Sequence, residues 1–437
     1  MSEAVAVLPP LRIPRSLLDP RLALPTPDAQ GLVAVQLEQQ DGTLRAIQPW
    51  PGVGPAAEDL PLAITPPLEP HAHLDKAFSA AAFPNAEGTM AGAFAANGRE
   101  AAERSAAHVL ERGERALEMA WRHGLRAVRT HIDSLGPAAS PSWEALEQLR
   151  RRWAGRVELQ LVALVPLSHW LTAKGAQLAQ QVAASGAVLG GVLGPPFEAG
   201  PADAAALLAL LRLAERFGCA IDLHIDEGVT QPGRGVRLVS RLMREHRIAV
   251  PLICSHAASM ALLPDRACRR LAEAMAEVEI GVVALPPTNL WLLGRQPGRT
   301  PLLRAQAPIR QLQEAGVAVA IGADNVRDPW YPAGGFDPIE LLRLSVLTSH
   351  VLPWERQGLA AFTTVPSRLL GQAWDGVLRP GGPADLVVLG AASWEALLAA
   401  SPQRRVLRSG RWLPPPAAES PSPLLAPLRN AAPADPG

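Results

Sequence analysis

The sequence predicts an α/β protein built on a (β/α)8 barrel of the TIM type, with a small β domain assembled from the two ends of the chain. Three observations point there. From Ile64 onward, apolar stretches alternate with Ala-, Leu-, Glu- and Arg-rich stretches of helical character, the pattern of a parallel sheet joined by crossover helices. Eight such strands can be counted, the number that closes a barrel. Short β segments broken by turns and prolines occupy both flanks. A doubly wound open sheet would carry a Gly-rich turn after its first strand, and that strand here ends in HAHLDK.

Residues 1–63 read as the N-terminal part of the small β domain. Leu32–Leu37 (LVAVQL) is one strand and Ala46–Ile47, after the Asp41-Gly42 turn, another; the prolines between them exclude long helices. The barrel is expected over residues 64–372. Its strands are Ile64–Asp75, Leu125–Ser134, Val157–Leu167, Ala187–Pro196, Ala220–Glu227, Val250–Ala257, Ile280–Asn289 and Ala318–Val326. Helices are expected at Ala101–Arg122, Ser142–Trp153, Ala202–Phe217, Leu262–Ala276 and Pro338–Leu347. In residues 373–413, Gly382–Leu389 and Val406–Trp412 return to β character and complete the small domain. Residues 414–437, rich in Pro, Ala and Ser, read as a disordered tail.

The 437 residues are 48% hydrophobic, which provides for a large core. Acidic and basic residues balance at 41 each, which argues against nucleic acid as the main partner. Three cysteines without metal-knuckle spacing suit a reducing, cytoplasmic setting. The first residues lack the basic and apolar regions of a signal peptide, and no apolar run is long enough to span a membrane. Assembly into a homo-oligomer is left open.

The chemistry is expected where strands end, since (β/α)8 barrels carry their active sites at that face. His71 and His73 are two residues apart on the first strand, so their imidazoles leave the same side. The second strand ends in His131 and Asp133, the fifth in His224, Asp226 and Glu227, the sixth in Ser255 and His256, and the eighth in Asp324. Five of the ten histidines therefore fall at one rim. Five crowded imidazoles without partners would be costly to bury unless a metal or substrate engaged them. Nitrogen ligands with one carboxylate suit Zn²⁺ or Fe²⁺ better than Mg²⁺ or Ca²⁺. Such a site brings the pKa of bound water toward neutrality, and an adjacent carboxylate can move protons. Spacing alone does not choose between Asp226 and Glu227 for that task.

Together these residues resemble the amidohydrolase superfamily, and within it the cytosine deaminase branch. The carrying motifs are EPHAHLD (69–75), FPN with GTM (83–90), RTHID (129–133), LHIDE (223–227), SHAASM (255–260), NLWLLGR (289–295), GADNVRDPWYP (322–332) and PADLVVL (383–389). The resemblance implies one divalent ion, Zn²⁺ or Fe²⁺, held by His71, His73, His224 and Asp324. It implies Glu227 as the acid/base, His256 as a hydrogen-bond partner of the attacking water, and Asp324 as an acceptor of its proton. Trp330 is expected in the pocket wall, with Leu167, Asn325 and His131 as further candidates for substrate contact.

Two-metal relatives bridge their ions with a carboxylated lysine at the end of the fourth strand. Here that end reads VLGPPFE (192–198), and the chain's two lysines, Lys76 and Lys174, lie elsewhere, so a mononuclear site is expected. Lys76 abuts the HxH pair and is left as either a substrate contact or a partner of a nearby carboxylate. Two departures bear on substrate. The family's pyrimidine-reading glutamine after the third strand is replaced by Val165-Pro166-Leu167-Ser168, and Asn325 stands where the family has an acidic residue. The implied activity is a metal-dependent deaminase attacking a C–N bond of a small nitrogen heterocycle. The alternatives are a cyclic amide or N-alkyl aminotriazine amidohydrolase and a catalytically silent scaffold.

Overall fold

The computed structural model describes residues 4–193, 200–400 and 403–414. Strands β1 (Ala6–Val7), β2 (Leu11–Pro14), β3 (Leu32–Gln40), β4 (Thr43–Pro49) and β5 (Leu62–Ile64) come first. The barrel strands follow as β6 (Leu68–Ala72), β7 (Ala127–Asp133), β8 (Glu158–Leu164), β9 (Val188–Leu193), β10 (Ile221–Ile225), β11 (Leu252–His256), β12 (Gly281–Ala284) and β13 (Val319–Ile321). Strands β14 (Leu386–Leu389), β15 (Arg404–Arg408) and β16 (Arg411–Trp412) close the sequence of elements.

Strands β6 to β13 pair in chain order, every pair parallel, with helices in the crossovers. These helices are α1 (Met90–Glu103), α2 (Ala106–Arg122), α3 (Ala139–Trp153), α4 (Ala173–Ser185), α5 (Pro201–Phe217), α6 (Arg234–His246), α7 (Asp265–Glu277), α8 (Pro286–Leu292) and α9 (Ile309–Glu314), with α10 (Pro338–Ser349) after β13. Closure from β13 back to β6 is sparse. The Asp324 N–H donates to the His71 carbonyl at 3.0 Å, and the buried Glu69 carboxylate accepts from the His71 and Ala323 N–H groups at 3.0–3.1 Å.

The remaining strands form one sheet in which β5 lies between β2 and β14, so both ends of the chain are woven together. The expected strand Ile64–Asp75 is thus two. Ile64 pairs with Val387 in the small sheet, and the barrel strand starts at Leu68 after Pro66-Pro67, which lack the N–H groups a continuous ladder needs. Similarly, the expected strand Ile280–Asn289 ends at Ala284, because Pro286 and Pro287 open α8. The expected helix Ala101–Arg122 is broken at Arg104, whose extended backbone carries its guanidinium to Glu100, Asp75 and Asp133 while Ser105 caps α2. Residues 194–199, where a bridging lysine was not expected, lie outside the described residues, as does the expected disordered tail beyond residue 414. Among the described residues, no helix is long and apolar enough to cross a membrane.

Candidate metal centre

Alternation along β6 turns Glu69 and His71 into the barrel, and His73 follows where the strand opens into its loop. The Nδ1 atom of His71 is 2.9 Å from the Ser255 hydroxyl, whose proton goes to Asp222 at 2.7 Å. Serine has one proton to give, so it accepts from Nδ1–H, and this assigns the bare nitrogen of His71 to Nε2. That Nε2 lies 3.2 Å from His224 Nε2, which lies 3.3 Å from His73 Nε2. Asp324 Oδ1 completes the group at 3.2 Å from His73 Nε2 and 3.6 Å from His71 Nε2.

Burial, and after it the crowding of neighbouring imidazoles, pushes His71 and His224 well below the usual histidine pKa, so both are neutral. Burial alone would raise Asp324, but His73 and His256 beside it hold its carboxyl below the ordinary range. Both Asp324 oxygens are buried without a hydrogen-bond donor. Three converging ring nitrogens, that of His71 bare, and an orphaned carboxylate at this separation are costly unless a cation sits among them, and the donor set fits a borderline divalent metal. His71, His131 and Asp222 also lie close together, but Asp222 is satisfied by Arg129 at 3.0 Å and by Ser255.

Glu227 and Asp226 are separated by their partners. Asp226 accepts from the Gly235 and Val236 N–H groups at 3.0 and 2.9 Å, at the start of α6. Glu227 faces the cavity instead, with Oε2 3.6 Å from His256 Nε2. Its carboxyl is raised well above the usual range by burial first and by Asp324 second. The Asn289 amide of α8 holds His256 Nδ1 at 2.9 Å. His256, Asp226 and Asp324 all have left-handed backbone (φ 73°, 54° and 64°), a conformation of the kind that clusters at functional sites.

Above these four side chains is a cavity of about 220 Å³. Phe94, Leu135, Leu164, Val165, Pro166 and Val192 give it apolar walls; Lys76, Asn97, Asp133 and Asn325 add polar groups. Trp330 and Asn325 line it, Trp330 packing edge-on to Phe94 at 4.7 Å. Leu167 does not line it. It opens a 3-10 turn, Leu167–Leu171, and packs in the core near Gly191, leaving Val165 and Pro166 at the wall. His131 is also absent from the lining, because strand alternation points it into the barrel interior, where its ring stacks on His71 at 3.8 Å. Lys76 pairs with Asp133 at 2.9 Å and also reaches the cavity.

Sequence reasoning missed Asp222, Arg129, Glu69 and Asn289. The first three had a signal, since each lies two residues before a rim histidine and so on the same strand face; Asn289 opens the NLWLLGR motif, but its segment read as strand and gave it no role.

The fold and the donor set define a metal-dependent hydrolase on a (β/α)8 barrel. The chain belongs to the amidohydrolase family, whose model matches residues 81–411. It is a hydrolase of carbon–nitrogen bonds other than peptide bonds. Over 394 residues it is 34% identical to a pterin deaminase of Rhizobium rhizogenes, covering 88% of this chain and 89% of that one. It is 25% identical over 320 residues to an N-isopropylammelide isopropyl amidohydrolase of a Pseudomonas species, covering 70% and 72%. Among solved structures, 5-methylcytosine deaminase of Klebsiella pneumoniae liganded with 5-fluorocytosine superposes with a TM-score of 0.79 at 24% identity, over 94% of this chain and 97% of that one.

Proposed function

We propose that the protein is a mononuclear metal-dependent deaminase acting on an amino-substituted nitrogen heterocycle, with a fused pyrimidinone of the pterin type as its substrate class. His71, His73, His224 and Asp324 would hold a Zn²⁺ or Fe²⁺ ion, which would lower the pKa of water toward neutrality and so supply a nucleophile. Glu227, whose carboxyl burial raises well above its usual range, donates to the ring nitrogen of the amidine and then to the departing amine. His256, fixed by Asn289, turns Nε2 toward the oxygen that adds to the ring carbon, and Asp324 accepts the proton that oxygen gives up. The apolar walls and Trp330 hold the ring and exclude water. One ion per chain fits the lysines, since Lys76 is tied to Asp133 and Lys174 is exposed on α4. Three buried, unpaired cysteines accord with a cytoplasmic setting.

The observation that carries this reading is the convergence of three histidine Nε2 atoms and Asp324 beneath a cavity that also holds Glu227 and His256. Pterin is favoured over cytosine because Val165 and Pro166 stand where an amide would read the pyrimidine edge, and because of the 34% identity to a pterin deaminase.

The test is ammonia release from pterin, guanine, cytosine and aminotriazines by the purified protein, with metal content measured. The expected outcome is about one ion per chain and a kcat/KM for pterin at least about 100-fold above that for cytosine, the scale on which a lost hydrogen-bonding group discriminates. Chelation should abolish turnover and Zn²⁺ or Fe²⁺ restore it. Glu227→Gln should retain metal and fold but lose about 10²- to 10⁴-fold in kcat. Full activity after complete metal removal, or ammonia from none of these rings, would refute the proposal.

A further inference from the structure

At the other end of the barrel from the histidines is a cavity of about 540 Å³, bounded by residues at the starts of β7 and β8 and by residues of the small sheet. Its charged lining is Arg126, Arg150, Arg156 and Arg408 against two carboxylates, Glu158 and Asp385. Arg150 is answered by Glu147 at 2.7 Å and Arg408 by Asp385 at 2.9 Å. Among the described residues, Arg126 and Arg156 make no ion pair, although Arg126 is only 8% exposed. Arg126 donates to neutral oxygens: the Ser367 hydroxyl, the Trp374 carbonyl at 2.9 Å and the Gln372 side-chain oxygen at 3.4 Å. Its Nε and the Gln372 Nε2 are buried without an acceptor. Burial first, and the Arg408 charge second, lower Arg126 to about 10, so it is still cationic at neutral pH. A desolvated charge of this kind is costly without a counter-ion. Backbone bonds keep the two unpaired arginines at one place. The Glu158 N–H donates to the Arg126 carbonyl at 2.9 Å, and Arg408 reaches the carbonyls of Leu125 at 3.3 Å and Arg156 at 3.1 Å. The cavity thus offers positive charge and spare donors, and what it lacks is an anionic acceptor.

We propose that this cavity is a second binding site, for a small phosphorylated molecule whose phosphate oxygens are held by Arg126 and Arg156. The planar fork of an arginine matches a phosphate both in charge and in the spacing of its donors. Barrel and small sheet share the lining, so an occupant joins the two and stabilises the folded chain by mass action. The inference is independent of the reaction proposed above. Arg126 immediately precedes β7, and the seven residues of that strand, about 20 Å of extended chain, separate it from the rim where Asp133 lies.

The experiment titrates the purified full-length protein with inorganic phosphate, pyrophosphate and AMP in a calorimeter at fixed ionic strength, and follows the thermal midpoint alongside. We expect one saturable site per chain with a dissociation constant below about 1 mM for at least one of the three. At a hundredfold excess over that constant the midpoint should rise by at least about 2 °C, while sodium chloride of equal ionic strength leaves it in place. Arg126→Gln and Arg156→Glu should each weaken binding at least about tenfold. Arg156 is exposed, so if Arg126→Gln does not fold, Arg156→Glu decides. Phosphate taken up at the metal centre instead would bind the variants and the unmodified protein equally. That result would overturn the proposal, as would the absence of saturable binding by any of the three probes.

Discussion

Ser255 and Asp222 perform no proton transfer to substrate in the reaction proposed, yet they determine what His71 can do. Arg129 holds Asp222 at 3.0 Å, Asp222 takes the serine proton, and Ser255 thereby fixes which nitrogen of His71 is bare. Outer partners of this kind typically carry 10- to 100-fold in metal affinity. We expect Ser255→Ala to weaken Zn²⁺ binding by about that factor, measured by competition with a chromophoric chelator, while the variant saturated with metal keeps most of its kcat. Unchanged affinity would show that the imidazole needs no such orientation. At this scale the sequence was informative where alternation could be read. Arg129, His131 and Asp133 are one face of β7, and Asp222 and His224 one face of β10, so buried charge beneath the rim was legible. Which of Asp226 and Glu227 entered the cavity was not, because that choice is made by the start of α6, whose N–H groups capture Asp226.

Among the elements, closure of the barrel depends on a side chain as much as on strand pairing. Glu69 accepts three hydrogen bonds from backbone N–H groups of β6 and of the β13 end, and burial raises its carboxyl to about 8 despite them. Glu69→Ala leaves those N–H groups buried without an acceptor, at about 1–3 kcal/mol per group. The expected result is a loss of at least about 2 kcal/mol in urea unfolding, with accelerated metal loss, since the proposed ligands His71 and Asp324 lie on either side of this seam. Equal stability would mean that solvent or a shifted strand satisfies the seam. The eight-strand count and chain order were readable because βα alternation is a strong periodic signal. Strand ends were less so, and the errors at residues 64–67 and 285–289 both fall on paired prolines that interrupt an otherwise continuous apolar run.

For the molecule as a whole, the small sheet is fastened to the barrel by a fork of ion pairs. Asp337, which caps α10, takes two hydrogen bonds from Arg404 of β15 at 2.7 and 2.6 Å. Burial opposes ionisation of Asp337, but the Arg404 bonds win and hold its carboxyl below the ordinary range. A depressed folded pKa contributes stability that is complete above the unfolded value of about 3.9 and is lost as pH falls through the folded one. Replacing Asp337 by Asn should therefore cost about 1–3 kcal/mol at pH 7. It should also flatten the fall of the urea midpoint as pH drops below about 4 relative to the unmodified protein. Parallel midpoint curves for the two proteins would discount the fork as a pH-dependent tie.

Because β5 is flanked by β2 and by β14, the sheet begun first is finished last. Ile64 finds its partner Val387 more than 300 residues further along the chain. A ribosome making this protein thus releases the whole barrel before the first strands gain their final neighbour, and until then an open strand edge faces solvent as an invitation to mispair.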